Sequence, residues 1–196
     1  MENDTDDLNN TEFTEFELLQ SLIQQGDAPS LKQQLLKSAS GVECKDDTGN
    51  TPLLQAAYLG KSNCMQLLLE IGQANCKVIN VHGQNALTLA SYAGCIECIE
   101  ILLAKWTYKD YTESSFLPPL CVAAMRGHLN VVNLFCQLTP SPNVIQSVHG
   151  ITPLQLAEKN GYSDVVQRLS EEIGLDLTGQ NGKQQRRRSS NRSRPY

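Results

Sequence analysis

A pair of closely spaced cysteines is the first feature of this sequence that could carry chemistry. Cys95 and Cys98 form a Cys-x-x-Cys motif, a spacing that supports thiol–disulfide exchange or supplies two ligands for zinc. A structural zinc site needs about four ligands, and neither a second Cys-x-x-Cys motif nor a histidine pair follows. We therefore expect no metal ion and no cofactor.

The histidines offer no better candidate for catalysis. His82, His128 and His149 are far apart in the sequence, and no Ser-His-Asp set, phosphate-binding glycine loop or paired buried carboxylates can be recognised. We predict that the chain is not an enzyme, that it has no catalytic residues and that it has no small-molecule substrate.

The charged residues lie at the two ends. Residues 1–17 carry seven acids and no base, and residues 179–196 carry six bases and no acid. The basic end contains Lys183, Arg186, Arg187 and Arg188, followed by Ser189 and Ser190. Three interpretations stay open: an import signal or nucleic-acid patch, a phosphorylation site at either serine, or a solvated tail. Aromatic side chains are not interleaved with the bases, so we expect at most weak nucleic-acid binding.

The cellular setting follows from the N-terminus and the cysteines. The acidic start lacks the basic and apolar regions of a secretory signal, and no apolar run reaches the roughly 20 residues that span a bilayer. An odd number of cysteines, seven, is typical of reduced thiols in a reducing compartment. We predict a cytoplasmic or nuclear protein, or one found in both, with no membrane partner.

A repeat of about 33 residues organises the middle of the chain. Four copies share five positions: a leucine, then an alanine, a glycine, a small apolar residue and a large one. They are Leu53, Ala56, Gly60, Cys64 and Leu68; Leu87, Ala90, Gly94, Cys98 and Leu102; Leu120, Ala123, Gly127, Val131 and Phe135; Leu154, Ala157, Gly161, Val165 and Leu169. Cys98 thus occupies a small apolar core position, where cysteine behaves as a hydrophobe.

Each copy has the signals of a turn followed by two helices. In the first copy Gly49 suits a turn, Thr51 an N-cap and Pro52 the first helical position. Gly60 ends the first helix, and a second is expected from about residue 62 to 71. The third copy departs from this pattern, because residues 105–115 contain no glycine. We expect an altered finger there.

These residues resemble the ankyrin repeat, with Thr51-Pro52-Leu53 and Thr152-Pro153-Leu154 at the helix start and Gly127-His128 at the hinge. The resemblance implies an all-α solenoid of stacked helix-turn-helix units, four clear repeats after a degenerate N-terminal capping unit. The family's histidine after the leucine is missing from every copy, which suggests less well-fixed fingers. The expected organisation is an acidic disordered N-terminus (1–13), a capping helix pair (14–45), repeats at 46–80, 81–113, 114–147 (divergent) and 148–177 (C-terminal cap), and a basic disordered tail (178–196).

The resemblance also implies a non-catalytic protein-interaction module, an adaptor or scaffold, that binds another protein through a concave groove and its finger turns. The alternative is a nuclear regulatory cofactor whose basic tail acts in import or nucleic-acid contact. Tyr58, Tyr92 and Met125 share one register, which predicts a line of contact side chains across the groove. The alternative is that these side chains only cover the neighbouring alanines. The other expected contacts are Leu59, Arg126, Lys159, Asn160, Thr48, Asn50, His82, Gln84, His149 and Ile151.

Overall fold

A computed structural model describes residues 6–114, 117–138 and 150–174, and α-helices form most of this part of the chain. The chain divides into two compact units, residues 1–119 and residues 120–196. Among the described helices, none combines the length and the apolar character needed to cross a bilayer.

The first unit contains seven helices among the described residues. They are α1 (Asp6–Gln25), α2 (Ala28–Lys37), α3 (Pro52–Tyr58), α4 (Ser62–Glu70), α5 (Ala86–Ala93), α6 (Ile96–Leu103) and α7 (Tyr108–Ser114), with a short 3₁₀ helix at Ser40–Glu43. Helix α1 begins at Asp6, so residues 6–13 are helical rather than disordered as the sequence suggested. Neither proline nor glycine interrupts the sequence between Asp6 and Gln25, so nothing in the backbone stops the helix earlier.

The capping pair follows the same register as the later copies. Leu19 occupies the position of Leu53 one copy earlier and is fully buried. Gly26 corresponds to Gly60 in the same way, and both have positive φ values, +75° and +65°. The bend between α1 and α2 therefore uses the left-handed conformation that glycine adopts most readily. Asp27 then caps α2, because its carboxylate accepts a hydrogen bond from Ser30 N at 3.1 Å.

The shared small and large positions form the core of this unit, as the repeat predicted. Ala56 and Ala90 are fully buried where α3 packs against α5. The predicted Thr51 cap is also present, and α5 begins with an equivalent cap. Thr51 accepts a hydrogen bond from Leu54 N at 3.4 Å, and Asn85 accepts one from Thr88 N at 3.0 Å. Each cap satisfies a backbone donor that the first helical turn leaves without an intrahelical partner.

Helix α7 lies in the segment that precedes the third copy, where the corresponding segment of the second copy, between α4 and α5, has no helix. Tyr111 of this helix is fully buried, and its hydroxyl donates to the Leu102 carbonyl at 3.2 Å. Its ring packs edge-on against Trp106, with 4.9 Å between ring centroids. The Asn85 side-chain amide donates to the Tyr111 carbonyl at 2.8 Å. The buried Tyr111 ring and the hydrogen bond from Asn85 thus hold in place a helix that the segment between α4 and α5 lacks.

The second unit contains α8 (Pro119–Arg126), α9 (Leu129–Leu138), α10 (Pro153–Asn160) and α11 (Ser163–Ile173); the unit boundary falls at the first residue of α8. Thr152 and Gln155 form a reciprocal capping box at the start of α10. Arg168 is half-buried, and its guanidinium donates to Asn133 at 2.9 Å and to Glu172 at 2.9 Å.

The hinge glycines of the second unit allow a matched test of packing. Gly127 and Gly161 have nearly equal φ values, +74° and +78°. A Cβ added at Gly127 would overlap the Tyr162 ring, whereas one added at Gly161 would meet nothing within 4 Å. In both alanine variants, backbone strain should lower the free energy of unfolding by about 1 kcal/mol. In Gly127→Ala the free energy of unfolding should fall by roughly 1–3 kcal/mol more, because Tyr162 must move.

Urea unfolding of the full chain, followed by circular dichroism, measures both losses. Equal losses for the two variants would contradict the packing role of Tyr162.

Candidate binding groove

Two finger turns form the upper edge of a groove in the first unit. Finger 1 comprises residues 46–50 and is built around the Asp46 carboxylate. The Oδ1 atom of Asp46 accepts hydrogen bonds from Thr48 N at 2.9 Å, Thr48 Oγ1 at 2.7 Å and Asn50 N at 2.8 Å. A side chain that accepts from the backbone two and four positions later fixes the turn locally.

Finger 2 comprises residues 80–84 and uses an amide oxygen for the same purpose. Asn80 Oδ1 accepts from His82 N at 3.0 Å and Gln84 N at 2.9 Å. Two further bonds join the fingers, from Val81 N to the Thr48 carbonyl at 3.0 Å and from Asn80 Nδ2 to Asn50 Oδ1 at 3.0 Å. These two fingers are therefore well fixed without the family's histidine, so the expectation of loose fingers is wrong for them.

The floor of the groove carries two stacked tyrosines. The rings of Tyr58 and Tyr92 lie 5.3 Å apart, centroid to centroid, at an angle of 22°. Tyr58 is 48% exposed, and Tyr92 is half-buried. The groove below the fingers has a volume of about 510 Å³ and is lined by Gln24, Asp46, Thr48, Asn50, Gln55, Tyr58, Leu59, Asn80, His82, Gln84, Leu89 and Tyr92. We call it the Tyr58–Tyr92 groove.

The structure brings together seven of the residues expected at the contact surface, namely Thr48, Asn50, Tyr58, Leu59, His82, Gln84 and Tyr92. Sequence reasoning missed Gln24, Asp46, Gln55, Asn80 and Leu89. The register could have found them. Gln24 corresponds to Tyr58 one copy earlier, and Gln55 corresponds to Leu89 in the same way. The lining of the groove thus begins one copy earlier than expected, in the capping pair.

The remaining expected contacts lie elsewhere. In the second unit Met125 is half-buried, and Arg126, Lys159, Asn160 and Ile151 are exposed. His149 lies outside the described residues. So do the possible import signal at Lys183, Arg186, Arg187 and Arg188 and the possible phosphorylation sites at Ser189 and Ser190.

The cysteine pair lies at the N-terminal end of α6. Cys95 caps α6, with its sulfur accepting from Cys98 N at 3.4 Å. Cys98 is fully buried, as its register predicted, and burial, together with the neighbouring Cys95 sulfur, raises the pKa of the Cys98 thiol. The described residues contain no group of three or more His, Cys, Asp or Glu side chains that could hold a metal ion.

Asp46 supplies the charge of the groove. Burial alone would raise the pKa of Asp46, but hydrogen bonds from the Thr48 hydroxyl and from the backbone of Asn50 and Thr48 outweigh it and lower this pKa. The carboxylate is therefore ionised at neutral pH. Among the described lining residues, Asp46 is the one with a formal charge, so the groove is weakly negative.

Comparison with known proteins places the chain among repeat proteins. Residues 18–115 and 113–181 match the family model described as ankyrin repeats (3 copies). The DNA replication inhibitor plutonium of Drosophila melanogaster is 41% identical over 154 residues, which cover 76% of this chain and 86% of that protein. The potassium channel AKT2/3 of Arabidopsis thaliana is 31% identical over 142 residues, 72% of this chain and 17% of the channel. Ankyrin repeat domain-containing protein 63 of Mus musculus is 31% identical over 137 residues, 66% of this chain and 35% of that protein.

The lowered pKa of Asp46 makes finger 1 sensitive to acid. A depressed pKa in the folded state stabilises the protein above the unfolded pKa of about 4, and this contribution disappears as pH falls through the folded pKa. Asp46→Asn should keep the turn, because Asn80 forms the same bonds with an amide oxygen. The variant should therefore lose less unfolding free energy than the wild type between pH 7 and pH 3, measured by urea titration.

Asp47→Asn is the control for this experiment. Asp47 is exposed and makes none of the hydrogen bonds of the turn, so its replacement tests the loss of one negative charge alone. Equal acid losses in wild type and Asp46→Asn would rule out this role for Asp46.

Proposed function

The chain belongs to the ankyrin repeat family, whose repeats are protein–protein interaction modules, and we propose that it is a non-catalytic adaptor that binds a partner protein through the Tyr58–Tyr92 groove. The observation that carries this proposal is the stacked tyrosine pair below two fixed fingers. Tyrosine is enriched at protein interfaces because it offers a large contact area and a polar tip.

The rigidity of the groove supports this assignment. The fingers are held by Asp46 and Asn80 and joined by the bond from Val81 N to the Thr48 carbonyl. Tyr58 and Tyr92 project from α3 and α5, whose residues Ala56 and Ala90 are fully buried. A partner would therefore lose little free energy in ordering the groove, and pre-organised surfaces bind more tightly for that reason. Members of this family are typically non-catalytic, and we assign no catalytic residue or cofactor.

The proposal extends to residues of the second unit. Met125, Arg126, Lys159, Asn160, His149 and Ile151 occupy the registers that correspond to the groove and finger positions of the first unit. We assign these residues to partner binding as well.

A second candidate function rests on the Drosophila relative. That protein is named a DNA replication inhibitor, and the matched region covers 86% of it. A likeness over most of a protein's length makes a shared role more plausible than a likeness confined to a few repeats. We propose as the alternative that this chain is a nuclear regulator of DNA replication that acts by binding a protein, with the basic residues 183–188 as an import signal or weak nucleic-acid contact.

Replacing both tyrosines tests the adaptor role. Tyr58→Ala combined with Tyr92→Ala should weaken binding of a groove partner by about 30-fold or more, since buried interface aromatics typically contribute about 2 kcal/mol or more. The measurement is an affinity purification with the tagged full chain, read by mass spectrometry, followed by titration of each captured protein. Circular dichroism checks that the variant remains folded.

Leu36→Ala is the matched control. Leu36 is 68% exposed on α2 and does not line the groove, so this variant should capture the same proteins as the wild type. Unchanged affinity of the double tyrosine variant for every captured protein would exclude the groove as the binding site.

The nuclear alternative makes a separate prediction. In cells that lack the gene, a fluorescent fusion of the full chain should enter the nucleus and reduce incorporation of a thymidine analogue. Deletion of residues 178–196 should lower the nuclear fraction of the fusion. An unchanged nuclear fraction excludes import through the tail, and unchanged incorporation with the wild-type chain excludes the role in replication.

A further inference from the structure

One buried acceptor in the groove has no donor in the described part of the chain. The Oε1 atom of Gln55 is buried and accepts no hydrogen bond there, while the backbone N–H of the same residue is used within α3, donating to the Thr51 carbonyl. Leaving a buried acceptor without a donor destabilises the free protein, and native structures rarely do so without a reason. Because Gln55 lines the groove, a rotation of its side chain would turn Oε1 toward the groove, where a bound ligand can supply the missing donor.

The charge of the groove indicates what kind of donor fits. The carboxylate of Asp46 is ionised, and its Oδ1 atom is fully engaged in the turn. Its Oδ2 atom accepts one long bond within the described residues, from Asn50 Nδ2 at 3.4 Å. No lysine or arginine is among the described lining residues. An anionic ligand would meet no opposite charge here, whereas a cation would meet a carboxylate with acceptor capacity left.

The tyrosines favour the guanidinium of arginine over the ammonium of lysine. Tyr58 and Tyr92 present a stacked pair of aromatic rings to the groove, and planar guanidinium groups stack on such faces more readily than ammonium groups. A guanidinium also carries five donors in a fixed plane, so one arginine side chain has enough donors for more than one acceptor of the groove. Lysine offers a single strongly hydrated charge.

We propose that the Tyr58–Tyr92 groove takes an arginine side chain from an extended basic segment of the partner, with Gln55 and Asp46 as acceptors and the tyrosine rings as stacking surfaces. This inference rests on the proposed adaptor function and specifies the chemistry of its partner. The groove volume of about 510 Å³ is within the usual range for ligand pockets and leaves space for residues that flank the arginine.

Selection from random-sequence peptides displayed on phage tests the proposal. The full chain serves as bait, and the Tyr58→Ala/Tyr92→Ala variant removes peptides that bind elsewhere. Peptides that depend on the groove should share an arginine. Synthetic versions should then bind about tenfold more weakly when that arginine is replaced by citrulline, which keeps the shape and loses the charge.

Variants of the bait separate an acceptor role from simple packing. Gln55→Leu and Asp46→Asn should each weaken the arginine peptide several-fold, and Asp46→Asn should leave the finger intact. Gln55→Glu should strengthen binding several-fold, because a carboxylate pairs with guanidinium in a charge-assisted bond. The citrulline peptide should gain nothing from Gln55→Glu. Equal responses of the two peptides would overturn the acceptor role.

The remaining outcomes distinguish this inference from the proposed function. Peptides that require the tyrosines but contain no arginine would overturn the inference and leave the adaptor role in place. A failure to obtain any peptide that depends on the groove would count against both. If deletion of residues 178–196 instead raises affinity for the arginine peptide by tenfold or more, the chain's own arginines occupy the groove and the assignment to a partner is wrong.

Discussion

The apolar face of each helix pair has to be covered by the next pair, and the rest of the structure depends on this constraint. Two short helices cannot bury that face alone. In the first unit the cover is supplied where α3 packs against α5, with fully buried Ala56 and Ala90 at the contact. Small side chains let the helices approach closely, so the repeat must keep alanine at this position. Side chains that point into the groove are outside this requirement and are free to differ.

A single side chain in each finger shows the same distinction between what the repeat must keep and what is free to differ. Asp46 and Asn80 hold equivalent turns with the same acceptor atom, although one is charged and the other is neutral. The turn requires an oxygen at that position and does not require a charge. The electrostatic character of each finger can therefore change without altering its shape, which lets a repeat array alter its preference for partners while its backbone stays constant.

The sequence predicted those parts of the fold that depend on local chemistry. The register identified the buried alanines, the positive-φ glycines and the Thr51 cap, and it placed Tyr58 and Tyr92 in corresponding positions. It could not predict α7, because the helix is held by Tyr111 and by bonds from distant residues such as Asn85. The sequence also could not predict the unsatisfied oxygen of Gln55, since a missing hydrogen bond is a property of the assembled groove. The early start of α1 was not predicted, because the acidic, polar composition of residues 1–12 is typical of disorder although no proline or glycine interrupts the helix.

The aromatic anchor of α7 also determines what the protein's own fluorescence can report. Trp106 is the single tryptophan of the chain, and its ring lies against Tyr111 with the Lys77 ammonium 4.9 Å from its centroid. Repeat arrays unfold through local contacts, and their ends can open separately from their middle. Tryptophan emission from this protein is therefore a spectroscopic probe of one place, the segment that leads into α7, and an unfolding curve recorded from it follows that site and not the chain as a whole.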